Sequence, residues 1–488
     1  MEALDSLTKD LETADFDNPD SKWVELIGSI PQKLPISVKE ICFHERNSKG
    51  YATSVIDKRI YTYITKTQHI FVCGGIPYIY NDGFYHMDLR GTRIKPLIEG
   101  CCLERFAKST TTDRIYKMFL QHSEIERRPE ELNHHSGHYI NFKNGMYDVI
   151  RKKLYPHSPK ILSVNQIPWE YDPTADHGSG IEIEKFLKFA VPDKSDREML
   201  LEYIGLCCSI DTSQQKMLVI CGDGGTGKST IINLIQKLVG KPNISNVSMS
   251  KLQDNFQAIR MMGKLLNSCA DLEIDALDDV TMIKKLIGED SISDSYKGKD
   301  IISFDNYAKL LFSTNELPLV RNEKTEGFYR RLLILAMNEK PEHRDPELPK
   351  RLEAELPYLL HIAMEALHRM YKRGYILVSE NSTSMANQLR MDSDTVESFI
   401  DECCVRCGED TKTHRNELYD NYEKYCEEWG RQAHQRRSFF KALRNKGFKE
   451  TKSGNDRMFK GIRMRLESDN DDDFVEISQA EIESVPFH

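Results

Sequence analysis

The stretch MLVICGDGGTGKSTIINLIQKLVG, residues 217–240, decides how the rest of the chain is read. It opens with five apolar residues, the length of a buried strand. Gly222-Asp-Gly-Gly-Thr-Gly-Lys228-Ser229 follows and fits GxxxxGK[ST]. Beyond it Ile231, Leu234, Ile235 and Leu238 fall at helical spacing. A strand, a glycine loop and a helix in that order make a P-loop. Gly222, Gly224, Gly225 and Gly227 let the backbone turn tightly, so that its N–H groups and those of Thr226 and Thr230 can face phosphate oxygens. Lys228 brings a point charge to the β- and γ-phosphates, and Ser229 supplies a hydroxyl to magnesium. The expected cofactors are therefore ATP and Mg.

A P-loop needs an acidic element to hold the metal and to orient water. Gly263-Lys-Leu-Leu-Asn-Ser-Cys-Ala-Asp271-Leu-Glu273 fits, with a strand expected over 265–270 and Asp271 at its C-terminal end. Ligands of α/β sheets gather at that edge. Asp271 is assigned to the magnesium shell and Glu273 to the attacking water, roles that the two can exchange. A third strand, Lys309-Leu-Leu-Phe-Ser-Thr, ends at Asn315, whose amide can touch a γ-phosphate or the lytic water. An Asn before a turn is common, and the order of the elements gives this one its weight. Then comes Gly327-Phe-Tyr-Arg330-Arg331 ahead of another apolar strand. The two arginines are either a salt-bridged strand start or a source of an arginine finger for a neighbouring subunit.

The alternation of apolar strands with helices from about residue 205 predicts an α/β fold with a mainly parallel sheet. Upstream, residues 73–88 read as a hairpin around Asn81-Asp82-Gly83, and 97–119 as helix. Residues 140–159 read as strands with a turn at Asn144-Gly145, and 183–204 again have helical spacing. The Pro-, Asp- and Gly-rich stretch 168–180 is a candidate boundary.

The 488 residues suggest roughly three domains, and no run approaches the roughly 18 apolar residues of a membrane helix. The acidic N-terminus lacks a signal-peptide pattern, so a cytoplasmic location is expected, in a bacterial or phage-infected cell. Twelve cysteines, several in adjacent pairs, make a poor disulfide framework and are read as reduced thiols. Cys404 and Cys407 form one CxxC, with Cys426 and His414 only loosely placed to complete a zinc site. The net charge of −9 argues against a nucleic-acid partner, yet the charges are segregated. Residues 431–465 hold twelve Lys and Arg against two acids, while 467–488 hold eight acids and no basic residue. Such asymmetry suggests a polyanion partner. In the basic part, Phe439, Phe440, Leu443 and Phe448 supply a small core, with Arg436, Arg437, Lys441, Arg444 and Lys446 on or beside one helix. That is the design of a DNA-binding helix, or of a solvated basic helix in a lid.

The order of P-loop, acidic strand, Lys-rich loop, strand ending in Asn315 and Tyr-Arg-Arg resembles a superfamily-three helicase of the AAA+ class. It is most similar to the helicase part of phage, plasmid and poxvirus-type primase-helicases. In that family the segment from Lys284 to Lys299 resembles the central-pore hairpin whose lysine contacts single-stranded DNA, and Lys297 and Lys299 match it. NFKNGMYDV and LSVNQIPWEYDP, within 138–173, resemble the domain that precedes the helicase, and 439–462 resembles its C-terminal winged helix. The resemblance spans about 50–466 and implies six segments. These are an N-terminal domain (1–175), a helical collar (176–212), the AAA+ core (213–345), a helical lid (346–400), a winged-helix-like module (401–466) and an acidic disordered tail (467–488). The paired aspartates of a primase are missing, since the one close upstream pair is Asp15-Phe-Asp17 in a polar stretch. A primase on a separate chain is expected instead.

The implied activity is ATP-dependent unwinding of DNA by a ring, expected to be a hexamer because an arginine finger works only across a subunit interface, in replication of a phage or mobile element. Single-stranded DNA would occupy the pore, duplex DNA would meet the C-terminal module, and no membrane partner is expected. The rival readings are a DNA-binding initiator or loader that uses ATP as a switch, and a small-molecule kinase. Asn315, Arg330, Arg331 and the basic module speak against the kinase.

Overall fold

The computed structural model describes residues 7, 9–16, 22–28, 33–133, 135–270, 276–277, 279–288, 290–298, 300–320, 326–429, 433–454 and 456–466. The chain divides into two compact units, Met1–Pro318 with Thr325–Ala386, and Leu319–Lys324 with Asn387–His488. The lid expected to end at residue 400 is thus divided, because 387–400 fold with the C-terminal unit.

The first unit is built on a five-stranded parallel sheet. In chain order its strands are Met217–Cys221 (β1), Ile244–Ser245 (β2), Leu266–Cys269 (β3), Lys309–Thr314 (β4) and Leu332–Ala336 (β5). Across the sheet they run β2-β3-β4-β1-β5. Parallel sheets are covered on both faces, which is why these strands read as continuous apolar runs. β4 is buried at all six positions, including Lys309, which extends its ammonium to the carbonyls of Ser209 (2.8 Å) and Tyr307 (2.9 Å). Helices Ile181–Ala190, Lys194–Cys207, Lys228–Val239 and Leu356–Arg373 bury their apolar stripes in the core of this sheet. Ile140, Phe142, Tyr147, Ile167 and Tyr171 are buried in the same core. The boundary expected near residue 175 therefore does not coincide with a break in the apolar interior.

A separate core lies further upstream, where Trp23, Phe43, Ile60, Ile98, Ile115 and Phe119 meet. The hairpin Ile76–Asn81 with Phe84–Met87 forms as expected, with positive φ at Asp82 (51°) and Gly83 (92°) in its two-residue turn. The single helix expected over 97–119 is two, Ile94–Cys101 and Ser109–Gln121. The chain turns back between them, so that Ile98 and Ile115 enter one core from two directions.

In the second unit the order is helix Thr395–Cys403, strands Cys404–Arg406 and Lys412–His414, helices Arg415–Glu428 and Arg436–Asn445, and strands Lys449–Ser453, Asp456–Lys460 and Ile462–Met464. Lys412–His414 pairs with Asp456–Lys460, which in turn pairs with Lys449–Ser453. Phe399, Tyr422, Phe439, Leu443 and Phe459 fill its core.

Candidate functional site

β1 carries the glycine loop to the C-terminal edge of the parallel sheet. At Gly222 the chain leaves the strand with φ 150°, and its N–H donates to the Thr314 carbonyl at 3.3 Å. A Cβ here would stand 2.0 Å from the Met337 carbonyl oxygen, so the backbone beyond β5 excludes any side chain. Gly227, at φ 98°, opens helix Lys228–Val239, with Phe186 and Met337 side chains packed where its Cβ would be. The helix has no side-chain cap. The N–H groups of its first turn have no intrahelical acceptor, and its dipole is positive at this end. Together they suit an anion.

Lys228 is the first residue of that helix and is only 8% exposed. Its ammonium donates to the carbonyls of Gly222 and Asp223 (2.8 Å) and to Asn315 Oδ1 (3.0 Å). All three N–H bonds are thereby used. Lysine and asparagine are 87 residues apart and meet because Thr314 lies level with Cys221 across β4 and β1. The Cys221 thiol also donates to the Asn315 carbonyl at 3.4 Å. Thr226 is buried and its hydroxyl donates to the Asp223 carbonyl at 3.0 Å. Gly224, Gly225 and Ser229 are exposed and Thr230 is half-buried at the mouth of the loop. Amides, an ammonium and a hydroxyl on one edge suit a polyphosphate and a hard cation.

Asp271 and Glu273 lie outside the described residues. β3, which leads towards them, ends at Cys269 opposite Phe312 of β4, on the same edge as the loop. One residue escaped sequence reasoning. Lys340, beyond β5, bonds Asp223 of the glycine loop at 2.9 Å. No spacing or motif singles out this lysine, and the bend after β5 alone brings it there.

The arginines are at the other end of the sheet. Leu332 pairs with Met217 and Ala336 with Cys221, both strands running the same way. Arg330 and Arg331 precede β5, so the sheet's length separates them from Gly222. At roughly 3.3 Å per residue that is about 16 Å, more than an arginine side chain spans. Arg331 is half-buried and donates to the Gly327 carbonyl and to Gln215 Oε1 (3.3 Å). Arg330 is exposed, and among the described residues its side chain has no hydrogen-bond or ion-pair partner.

The lysine-rich segment is a hairpin, Ser291–Asp294 paired antiparallel with Ile302–Asp305. Lys297 is exposed in the connection, next to Gly298 at φ 78°, and Lys299 lies outside the described residues.

In the C-terminal unit the basic helix Arg436–Asn445 is more neutralised than its sequence suggests. Arg436 pairs with Asp420 (3.1 Å), Arg444 with Glu450 (2.5 Å), and Lys446 with Asp394 (2.8 Å) and Glu397. Glu450 also draws Arg415 (3.5 Å) and Arg457 (3.7 Å). Arg437 and Lys441 are exposed without an ion-pair partner among the described residues. The acidic segment 467–488 lies outside the described residues. All twelve cysteines are free, and among the described residues no group of three or more His, Cys, Asp or Glu could hold a metal. The CxxC thiols are turned to other partners, Cys404 towards Met464 Sδ and Cys407 to the Val405 carbonyl. No described helix is long and apolar enough to cross a membrane.

Residues 45–192 match a family described as "D5 N terminal like", and 220–331 match a family of unknown function, DUF5906. A protein of Acanthamoeba polyphaga mimivirus named as a helicase is 28% identical over 210 residues, 41% of this chain and 22% of that protein. A protein of Invertebrate iridescent virus 6, also named as a helicase, is 28% identical over 203 residues, 38% of this chain and 20% of that protein. The matched stretch is thus about a fifth of those relatives' own lengths. The apo C-terminal region of NrS-1 aligns with a TM-score of 0.46 at 10% identity, over 82% of this chain and 98% of that one. The chain is therefore similar over residues 45–192 to a D5-type N-terminal family, and over about two fifths of its length to viral proteins named as helicases.

Proposed function

We propose that this chain is an ATP-dependent DNA helicase of the superfamily-three AAA+ type, acting as a ring, on the hexameric pattern of that family, in replication of a viral or mobile-element DNA. The observation that carries the proposal is the meeting of Lys228 and Asn315 at 3.0 Å on the C-terminal edge of a parallel sheet. Two residues that the motif order singled out, far apart in sequence, converge where a γ-phosphate would need them. In this reading Lys228 exchanges its loop carbonyls for phosphate oxygens, and the first-turn amides bind the α- and β-phosphates. Asn315, freed from Lys228, holds the lytic water or the γ-phosphate. Ser229 and Asp271 would hold magnesium, which neutralises charge on the phosphates when bound. Glu273 orients the attacking water. Arg330 lies at the far end of the sheet, so in this reading it serves a neighbour's nucleotide rather than its own, through a head-to-tail contact of the kind that builds a ring when its rotation closes.

Lys297 and Lys299 are assigned to the backbone of one DNA strand in the pore. In the C-terminal unit the pair of helices Arg415–Glu428 and Arg436–Asn445, followed by the hairpin Lys449–Ser453 with Asp456–Lys460, fits a winged helix. Its exposed Arg437 and Lys441 are assigned to duplex DNA, with Arg436 and Arg444 supporting them from ion pairs. A separate primase is the expected partner.

The test is unwinding of a forked duplex with ATP and magnesium. The wild type should separate strands, and Lys228→Ala should neither hydrolyse ATP nor unwind, with a lower melting temperature because its buried ammonium ties Gly222 and Asp223 to Asn315. Hydrolysis at wild-type rate by Lys228→Ala defeats the site assignment. Hydrolysis by the wild type without strand separation favours the initiator or loader.

A further inference from the structure

Asp294 is the last paired residue of the hairpin's first strand, opposite Ile302, three positions before Lys297. Its carboxylate does not face solvent water alone. Oδ1 accepts the N–H of Ser295 (2.8 Å), the first residue of the tip, and also the N–H of Phe256 (3.0 Å). Oδ2 accepts the N–H of Ile259 at 2.9 Å. One side chain thus joins the root of the lysine tip to a segment 35–38 residues earlier in the chain.

That segment is unusual in two ways. Phe256 has φ 68°, a left-handed conformation that bulky residues adopt only when their surroundings impose it, and the residue is 43% exposed. The bond from its N–H to Asp294 is such a constraint. Ile259 is fully buried and is the second residue of the turn Ala258–Met261, from which residues 262–265 lead to β3. β3 ends at the nucleotide edge of the sheet, one residue short of the Ala270-Asp271 step. In the connection leading to β3 the Ile259 carbonyl accepts the Met262 N–H (3.1 Å) and the Met261 carbonyl accepts the Lys264 N–H (2.9 Å), so the turn is tied to the start of β3, and Asp294 ties the turn to the hairpin.

We infer that Asp294 is a positioning residue that couples the nucleotide edge of the sheet to the Lys297 tip, through its carboxylate bonds to the Phe256 and Ile259 amides. The inference rests on the reading of Lys297 as a DNA contact. Two hydrogen bonds to an ionised acceptor hold better than two to a neutral one, so the link is stiff enough to carry motion without a covalent connection. An apolar residue here would leave the two amides and the tip without a shared anchor.

The experiment compares wild type, Asp294→Ala, Asp294→Asn and Lys297→Ala in full-length protein. It reads the ratio of DNA-stimulated to DNA-free ATP hydrolysis, base pairs opened per ATP, and hydrogen exchange at the Phe256 and Ile259 amides. Asp294→Ala should expose both amides and lower the base pairs opened per ATP by about tenfold or more, the factor expected for losing a hydrogen bond to a charged group. Asp294→Asn keeps one oxygen for Phe256 and Ser295 and loses the bond to Ile259. It should fall between wild type and alanine, and it carries the test if Asp294→Ala does not fold. A merely structural role would lower melting temperature and activity together and leave the ratio intact. Wild-type coupling in Asp294→Asn with the Ile259 amide exposed overturns the inference. If Lys297→Ala itself keeps full DNA stimulation, the DNA-contact reading has failed instead, and the two failures are distinct.

Discussion

Removing Arg330 tests the proposed ring more sharply than any change at the glycine loop. The two ends of β5 fix the argument. Ala336 is level with Cys221, the residue before Gly222, whereas Leu332 is level with Met217 and Arg330 lies further back. No rotamer carries the Arg330 guanidinium to its own loop. A finger supplied in trans contributes about 10³ to 10⁵ in kcat, equivalent to roughly 4–7 kcal/mol of transition-state stabilisation. Arg330→Ala should lose hydrolysis on that scale and keep nucleotide affinity. Its exposure and lack of a side-chain partner among the described residues predict an unchanged melting temperature. Arg331→Ala should differ, because Arg331 bonds Gln215 and the Gly327 carbonyl and its loss should destabilise the strand start. The assay is steady-state ATP hydrolysis in mixed rings. In an equal, random mixture of Lys228→Ala and Arg330→Ala subunits, about a quarter of the interfaces combine an intact loop with an intact finger. Activity should rise from near zero towards that fraction. If mixed rings form, as shown by differently tagged subunits eluting together, and no activity returns at any ratio, the trans reading is refuted. Full hydrolysis by Arg330→Ala alone refutes it as directly.

Lys297→Ala should retain DNA-free hydrolysis and lose DNA stimulation and unwinding, measured on single-stranded and forked substrates; unchanged unwinding returns the loop to a solvated basic turn. Replacing Arg437 and Lys441 together by alanine should weaken duplex binding alike on all sequences and flatten the slope of log K against log salt by about two, since each would release roughly one counterion. A slope unchanged within error would remove these two residues from the DNA surface. Burial lowers the Lys309 ammonium to about 8 from its ordinary 10.5. The unfolded chain therefore holds more protons between those values, so wild-type stability should rise with pH across that window relative to Lys309→Met, by at most about 3 kcal/mol. Denaturant melts at pH 7.5 and 10 measure this, and parallel curves would show that the lysine keeps its charge through its carbonyl bonds.

The parallel sheet was legible because its strands are buried on both faces and announce themselves as unbroken apolar runs. The glycine loop was legible because a backbone that turns at Gly222 under Met337 tolerates no side chain. Asn315 was marked only by order along the chain, and its bond to Lys228 follows from a register that no sequence pattern states. Three features stayed hidden for a common reason: they depend on which partner each charged side chain meets across the fold. Net charge in 431–465 pointed to a strongly basic surface, whereas Glu450 alone engages Arg415, Arg444 and Arg457. Lys340 reaches Asp223 through a bend after β5, and Asp294 reaches back to Phe256 and Ile259. The division of the first unit was hidden too. Residues 140–171 carry turn signals like a domain of their own, but their aromatic side chains are spent on the core of the sheet.

On the proposed reading, the placement of charges on the sheet explains why one chain is not enough. Strands of a parallel sheet present all their C-terminal ends on one edge, so a P-loop, an acidic element and a polar amide gather there without special arrangement. The same rule puts whatever precedes a strand on the opposite edge. A residue that must meet the γ-phosphate from the far side cannot come from the start of β5 in the same chain. It comes from there naturally in the next chain, if copies pack with one sheet edge against the other. The resting contacts of Lys228 fit this economy. An ammonium saturated by Gly222, Asp223 and Asn315 offers nothing to a phosphate until those bonds open. A chain alone would then bind nucleotide through its helix amides and hydrolyse it slowly. Specific activity should therefore climb with protein concentration through the range in which subunits associate, and a rate per subunit that stays flat on dilution below that range would contradict a site shared between chains.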